Sequence, residues 1–264
     1  MMEAIARDGR VVSVLWSRDL LLFFRQRSRI MGTLAQPLLF WLALGSGLAP
    51  TFRLADNGIG YMEYFFPGTV LMLVLFSSIA LTMSVIEDRH QGFLQGVLVS
   101  PGSRGALVLG KTLGATTVCL LQSILFLLLA PLAGFPFGSV SWGPLILMAT
   151  LTSLALTSIG FTIAWWLDSS QGYHLVMSLL LLPLWVLSGA LFPASGLHRA
   201  MRALVRWNPL SYAVSGLRRG LTGGILPSGT ELAGSSPSLE VAVVLSLAAV
   251  SLAVACWVCS RRPA

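Results

Sequence analysis

Glu87–Thr112, EDRHQGFLQGVLVSPGSRGALVLGKT, is a short polar stretch between two long apolar runs, and its reading decides the fold. Its last eight residues, Gly105–Thr112 (GALVLGKT), match G-x-x-x-x-G-K-[ST], the pattern of a phosphate-binding loop. Such a loop follows a buried strand, opens a helix and cradles phosphates with backbone amides. Here the variable positions are the apolar Ala106, Leu107, Val108 and Leu109, and Thr112 leads directly into an apolar run. No strand–helix alternation elsewhere supplies a sheet. The match reads as a turn feeding a membrane span, and no nucleotide site is expected in this chain.

Just upstream the pattern is different. Phe93, Leu94, Val97 and Leu98 share one face of a short helix, with His90 beside them and Glu87, Asp88 and Arg89 ahead. Acids there complement a helix N-terminus. Pro101-Gly102 ends the helix, and Ser103 is placed to cap the next one. A charged rim around a small apolar face suits docking into a partner's groove. The same face would also suit a helix lying on a membrane surface.

Outward from this stretch the chain is membrane-like. Of 264 residues, 55% are hydrophobic and 10% charged, against about 25% charged in soluble domains; mean hydropathy is +0.81. Six apolar runs are expected to span: Ile30–Leu48, Phe65–Ile86, Thr112–Phe135, Gly143–Leu167, Tyr173–Phe192 and Leu239–Cys259. Each reaches about 30 Å as a helix. Gln36-Pro37 and Pro183 mark expected distortions, and Pro144 fits the first turn of its helix. Residues 1–29 are too charged for a secretory signal. Val12, Leu15, Trp16, Leu20 and Phe23 recur at helical spacing among Arg7, Arg10, Arg18, Arg25, Arg27 and Arg29, which reads as an amphipathic interfacial helix. The chain thus divides into this helix and a single six-span domain, 30–264.

The net charge of +7 sits between apolar runs, with no aromatic-plus-basic stripe, so nucleic acid is not expected as a partner. Six cations at the N-terminus, three in the central stretch (Arg89, Arg104, Lys111) and two at the tail (Arg261, Arg262) lie on one side. The other side carries six: Arg53, Arg199, Arg202, Arg206, Arg218 and Arg219. The positive-inside bias places both termini and the central stretch in the cytoplasm.

The last external link, Pro193–Ser238, carries two short amphipathic helices. Leu197, Met201, Leu204 and Val205 face one way, with Arg199, Arg202 and Arg206 opposite. Asn208-Pro209 reads as an N-cap and first-turn proline, before an apolar face of Leu210, Val214, Leu217 and Leu221. These helices either dip into the membrane or lie on it. Thr222–Ser238 is a Gly/Ser/Pro-rich connection.

The interiors of the spans lack Asp, Glu, Lys, Arg and His. Ion-coupled carriers need ionisable groups or broken helices at mid-membrane, so that class is disfavoured. No carboxylate pair or metal-ligand set is visible. His90, His174 and His198 read as ordinary interfacial histidines. Cys256-x-x-Cys259 lies at the C-terminal end of a helix, the wrong end to activate a thiol, and with Cys119 reads as packing.

Two motifs give the chain a resemblance. Glu87-x-x-x-x-Gly92-Phe93-Leu94, continued by Leu98-x-Ser100-Pro101-x-Ser103-Arg104 and Leu109-Gly110-Lys111, resembles the signature loop of ABC-2 type transporter permeases. Asn208-Pro209-Leu210-Ser211-Tyr212-x-x-x-x-Leu217-Arg218 is similar to that family's second motif, before the last span. Gly102 departs from it, where a bulkier residue is usual. The resemblance implies a half-transporter of an ATP-driven exporter, non-enzymatic itself, pairing with a second permease copy or paralogue. A separate ATP-binding subunit would hold ATP and Mg and dock on Glu87, Asp88, Arg89, Phe93, Leu94, Val97, Leu98, Pro101 and Arg104. The N-terminal helix would be the connecting helix, and Asn208, Pro209, Tyr212 and Arg218 would belong to a re-entrant external pair. Such permeases export drugs, antibiotics, lipids, lipo-oligosaccharides or polysaccharides. An uncharged pathway favours an amphipathic or lipid-linked substrate. A non-transporting membrane scaffold is the alternative of another class.

Overall fold

In the computed structural model the described residues are 2–49, 59–99, 102–193, 198–226 and 235–261. Among them every regular element is helical: α1 (Met2–Arg25), α2 (Arg27–Leu48), α3 (Tyr61–Thr82), α4 (Ser84–His90), α5 (Phe93–Val99), α6 (Arg104–Leu127), α7 (Trp142–Trp166), α8 (Ser170–Trp185), α9 (Arg199–Trp207), α10 (Pro209–Leu221) and α11 (Pro237–Arg261). A 3₁₀ turn, Ala130–Ala133, follows α6, and a π turn, Val186–Ala190, extends α8. Six helices are long and apolar enough to cross a membrane: Ile30–Leu48, Tyr61–His90, Arg104–Leu127, Trp142–Trp166, Ser170–Ala190 and Pro237–Arg261. The chain is a multi-pass, all-α membrane protein.

The third span is displaced from its expected position. It runs over Arg104–Leu127, eight residues earlier at each end than Thr112–Phe135. The Ser103 hydroxyl accepts the Ala106 N–H at 3.1 Å and starts the helix there. Lys111, the residue just before the expected start, is 3% exposed inside the protein. The second span begins earlier, at Tyr61, and runs past a turn at Met83 to His90. Residues 50–58 of the first link, and 194–197 and 227–234 of the last, lie outside the described residues.

The α3–α4 span is the most buried of the six and forms the centre, while α2, α8 and α11 keep most of their surface outward. Small polar groups join the interior helices, as is common where helices pack in lipid. The Ser77 hydroxyl donates to Gln122 at 2.5 Å, and the Gln122 amide donates to Thr33 at 2.7 Å, linking α3, α6 and α2. Thr116 and Thr157 join α6 to α7 at 3.0 Å. The α2 helix continues through Pro37, and the Trp41 indole donates to the Met62 carbonyl at 3.0 Å.

The α1 helix packs along the first half of α6. Leu15 and Phe23, from the expected apolar stripe, are buried. The Trp16 indole donates to Thr117 at 3.0 Å. Two glycines of α6 permit this approach: a Cβ on Gly110 would meet the Leu15 Cβ at 2.9 Å, and one on Gly114 the Asp19 Cβ at 3.2 Å. Gly110 of the phosphate-loop match is thus a helix-packing glycine, one half of a small-xxx-small pair.

Candidate coupling site and its counterpart

The α4 helix carries Asp88, Arg89 and His90 in succession, and each reaches a different partner. Asp88 is 3% exposed. Arg18 of α1 donates to both its carboxylate oxygens, at 2.6 and 3.0 Å. The Lys111 ammonium of α6 donates to Asp88 at 2.5 Å and to Asp19 of α1 at 2.9 Å. Two cations and two anions from three helices therefore close a neutral cluster, the arrangement a buried charge requires. Hydrogen bonding to Asp88 raises the Arg18 pKa. Burial pushes the Asp19 carboxyl above its usual range, against the pull of Lys111.

Arg89 turns the other way. Its guanidinium donates to Asp168 at 2.6 Å and to the Trp165 carbonyl at 2.9 Å. The His90 Nε2 lies 2.8 Å from the Asp168 carbonyl oxygen. Both residues hold the tight turn between α7 and α8. Glu87 lines a cavity of about 140 Å³ with Arg18, Asp19, Asp88, Gln91 and the apolar Phe23.

After Gly92, whose φ of 75° favours glycine, α5 turns away. Leu94 is buried, Phe93 and Val97 are half-buried, and Val99 is 87% exposed. Gln91, Gln95 and Gly96 are also exposed. The Arg18 guanidinium lies 3.9 Å from the Phe93 ring centroid. Among the described side chains, the outward surface of α5 is therefore Gln95, Gly96 and Val99, and the expected stripe turns partly inward. The Leu98 side chain and Pro101 lie outside the described residues. Arg104 donates to the Cys259 and Ser260 carbonyls at 3.0 and 3.2 Å, capping the end of α11. Nearby, the Asp8 carboxylate accepts the Ser103 N–H at 2.9 Å, and hydrogen bonding from Ser103 lowers its pKa.

The other end of α3 is aromatic. The Tyr64 hydroxyl donates to the Gly189 carbonyl at 2.5 Å, and Tyr61 to that of Leu191 at 3.2 Å. The Trp185 indole donates back to Gly68 at 2.9 Å. These bonds grip the distorted end of α8, where Gly189 takes a φ of 75°. The second motif meets the same place. The Asn208 amide donates to the Leu184 carbonyl at 2.5 Å while its Oδ1 accepts the Leu210 N–H at 3.0 Å, with Pro209 in the first turn of α10. The Arg218 guanidinium lies 4.5 Å from the Tyr64 ring centroid and donates to that residue's carbonyl at 3.4 Å. Tyr212 donates to the Arg206 carbonyl at 3.1 Å.

Four buried or bonded residues were not among the expected site residues: Arg18, Asp19, Lys111 and Glu240. Asp19 occupies the middle of the Leu15-Asp19-Phe23 stripe, and an acid on an apolar stripe requires a buried partner. Glu240, second residue of the expected last span, is 1% exposed. It accepts from Ser215, Ser235 and two nitrogens of Arg219, at 2.6 to 3.1 Å.

Comparison with known proteins places the chain. The family model for the ABC-2 type transporter matches residues 10–222. Nodulation protein J of Rhizobium meliloti is 26% identical over 221 residues, covering 81% of this chain and 82% of that protein. The putative transport permease ycf38 of Cyanophora paradoxa is 27% identical over 212 residues, covering 78% and 72%. The inner membrane transport permease YadH of Escherichia coli K12 is 25% identical over 215 residues, covering 79% and 82%. The matched region takes in the α4–α5 segment, the Asn208 motif and five of the six candidate spans; on this ground the chain belongs to the ABC-2 type transporter family.

Proposed function

We propose that this chain is the membrane subunit of an exporter driven by a separate ATP-binding subunit, which holds ATP and Mg and docks on α5. The observation that carries the proposal is the placement of α5. It projects Gln95, Gly96 and Val99 outward just beyond α4, which is tied into the bundle through Asp88 and Arg89. A second permease copy, or a paralogue, completes the pathway. Both termini and α5 face the cytoplasm of a bacterial inner membrane, in keeping with the distribution of cations. The α1 helix sits at the membrane interface and joins α5 in contacting the ATP-binding subunit. The α9–α10 pair closes the far end.

The substrate is amphipathic or lipid-linked. The outward faces of α2 and α8 support this, since Met31, Leu39, Leu175 and Leu179 present apolar surface without charge.

The test is co-expression with the ATP-binding subunit of the adjoining reading frame, purification, and ATP hydrolysis with and without the permease. The expected result is a complex whose hydrolysis responds to the permease and is lost in Val99→Asp, while the protein still inserts. A permease that binds no ATP-binding subunit would support the scaffold reading.

A further inference from the structure

The second span ends in a junction rather than in a free helix terminus. Within three residues it bonds α1 and α6 through Asp88 and the α7–α8 turn through Arg89 and His90. Only Gln91 and Gly92 separate this junction from α5. On the other side of it, the rod is interrupted at Met83, between α3 and α4. A push on α5 has two possible outcomes: α4 bends about Met83, or α4 carries its neighbours with it. Which one occurs depends on how firmly α4 is bound to α1 and α6.

We infer that Asp88 is a positioning residue for energy coupling, whose carboxylate makes α4, α1 and α6 one rigid body so that a displacement of α5 reaches α1 and the second and third spans together. The inference rests on the proposed docking of an ATP-binding subunit at α5. Asp88 is the residue singled out because it accepts from both Arg18 and Lys111, with two oxygens for three donated bonds. Asp19 lies on α1 itself and cannot join α4 to anything. At 3% exposure water does not replace the lost bonds, and Lys111 is left with Asp19 of α1 alone. The Arg18 guanidinium over the Phe93 ring extends the same body to the first residue of α5. Phosphate-loop chemistry would need the Lys111 ammonium free; the cluster instead uses it as the counter-ion that fixes Asp88.

The experiment uses the permease with its ATP-binding subunit in lipid nanodiscs, with the three native cysteines replaced by serine. Spin labels are placed at Val14→Cys on α1 and Gln91→Cys at the end of α4, both exposed positions. Pulsed electron resonance reads their separation without nucleotide and in an ATP-trapped state. In the otherwise wild-type chain the separation should stay within about 2 Å, the scale of small helix shifts. In Asp88→Asn it should change between the two states, and permease-stimulated ATP hydrolysis should fall about tenfold, a usual size for a coupling free energy.

A second variant, Asp88→Asn with Lys111→Gln, restores the charge balance. It should regain thermal stability but not the fixed separation or the stimulated hydrolysis. Recovery of coupling together with stability would make Asp88 merely structural and overturn the inference. So would labels that move apart in the wild-type background on ATP trapping. Absence of any permease-stimulated hydrolysis in the wild type would instead overturn the docking proposal, and it is read before the variants are made.

Discussion

At its Asp88 end the α3–α4 rod is held by full charges: two cations on one buried carboxylate, and the guanidinium of the next residue on Asp168 of the α7–α8 turn. At its Tyr61 end the ties to α8 are neutral, from two phenols and an indole, with Asn208 of the second motif bonding α8 beside them and one cation–π contact. The two kinds of tie fail differently. Removing one member of a buried ion cluster strands its partners, so loss is close to all-or-none. Removing one neutral hydrogen bond costs about 1 kcal/mol and leaves the others in place. The charged end is therefore suited to moving as a unit, and the aromatic end to a joint that re-forms. Its acceptors, the carbonyls of Leu184, Gly189 and Leu191, surround the one stretch of α8 whose helical geometry is already broken.

The largest expected effect is at the charged end. Lys111→Met leaves Asp19 and Asp88 facing each other with Arg18 alone between them. The expected loss is about 3–5 kcal/mol, read as a large fall in the thermal midpoint of the detergent-solubilised protein. Arg18→Gln should cost less, since that side chain is 26% exposed and water reaches it. Equal losses would mean that burial does not set the cost at this end, and the contrast with the aromatic end would lose its basis.

At the aromatic end, Gly68→Leu is the severe test. A Cβ on Gly68 would meet the Ala190 Cβ at 2.6 Å and its Cα at 3.0 Å, so α3 and the π turn must separate. Overpacking of this kind costs about 1–3 kcal/mol. Tyr64→Phe, which removes the bond to Gly189, should cost about 1 kcal/mol. If Tyr64→Phe instead matched Lys111→Met in thermal shift, the aromatic end would be as indivisible as the charged one.

How much of this was legible beforehand follows from the same physics. The six spans were visible because an uninterrupted apolar run of this length has few other solutions. The Ser103 and Asn208 caps were visible because capping is a local event. The start of the third span was not, and the reason is Lys111. Read alone, its charge marks the edge of the membrane. Read with Asp19 and Asp88, it belongs inside, and both acids lie far from it in sequence. The inward turn of Leu94 was hidden for a similar reason: periodicity assigns residues to a face, while the packing of α4 and α5 decides where the face points. Asp88 and Arg89, read as a docking rim, also bind within the chain, and Arg104 caps the last span.

The smallest effect concerns protons, and it asks whether the charged end is charged in full. Burial raises the Asp19 pKa above its ordinary value of 3.8, and Lys111 only partly offsets this. The groups facing it are Lys111 from α6, Asp88 from α4, Arg18 on its own helix, and Glu87 across the shared cavity. The folded protein therefore holds a proton on Asp19 more tightly than the unfolded chain does. A group of this kind contributes stability that is complete below the unfolded pKa and is lost as pH rises through the folded one. Asp19→Asn cannot titrate, so it removes this dependence while the other acids continue to titrate in both proteins. The thermal midpoint of wild type minus that of Asp19→Asn should accordingly grow as pH is lowered from 7 towards 4. A difference that stays flat, or shrinks, would mean that Lys111 keeps Asp19 ionised throughout. The cluster would then be rigid against protons as well as against force, and the contrast between the two ends would be sharper than burial alone requires.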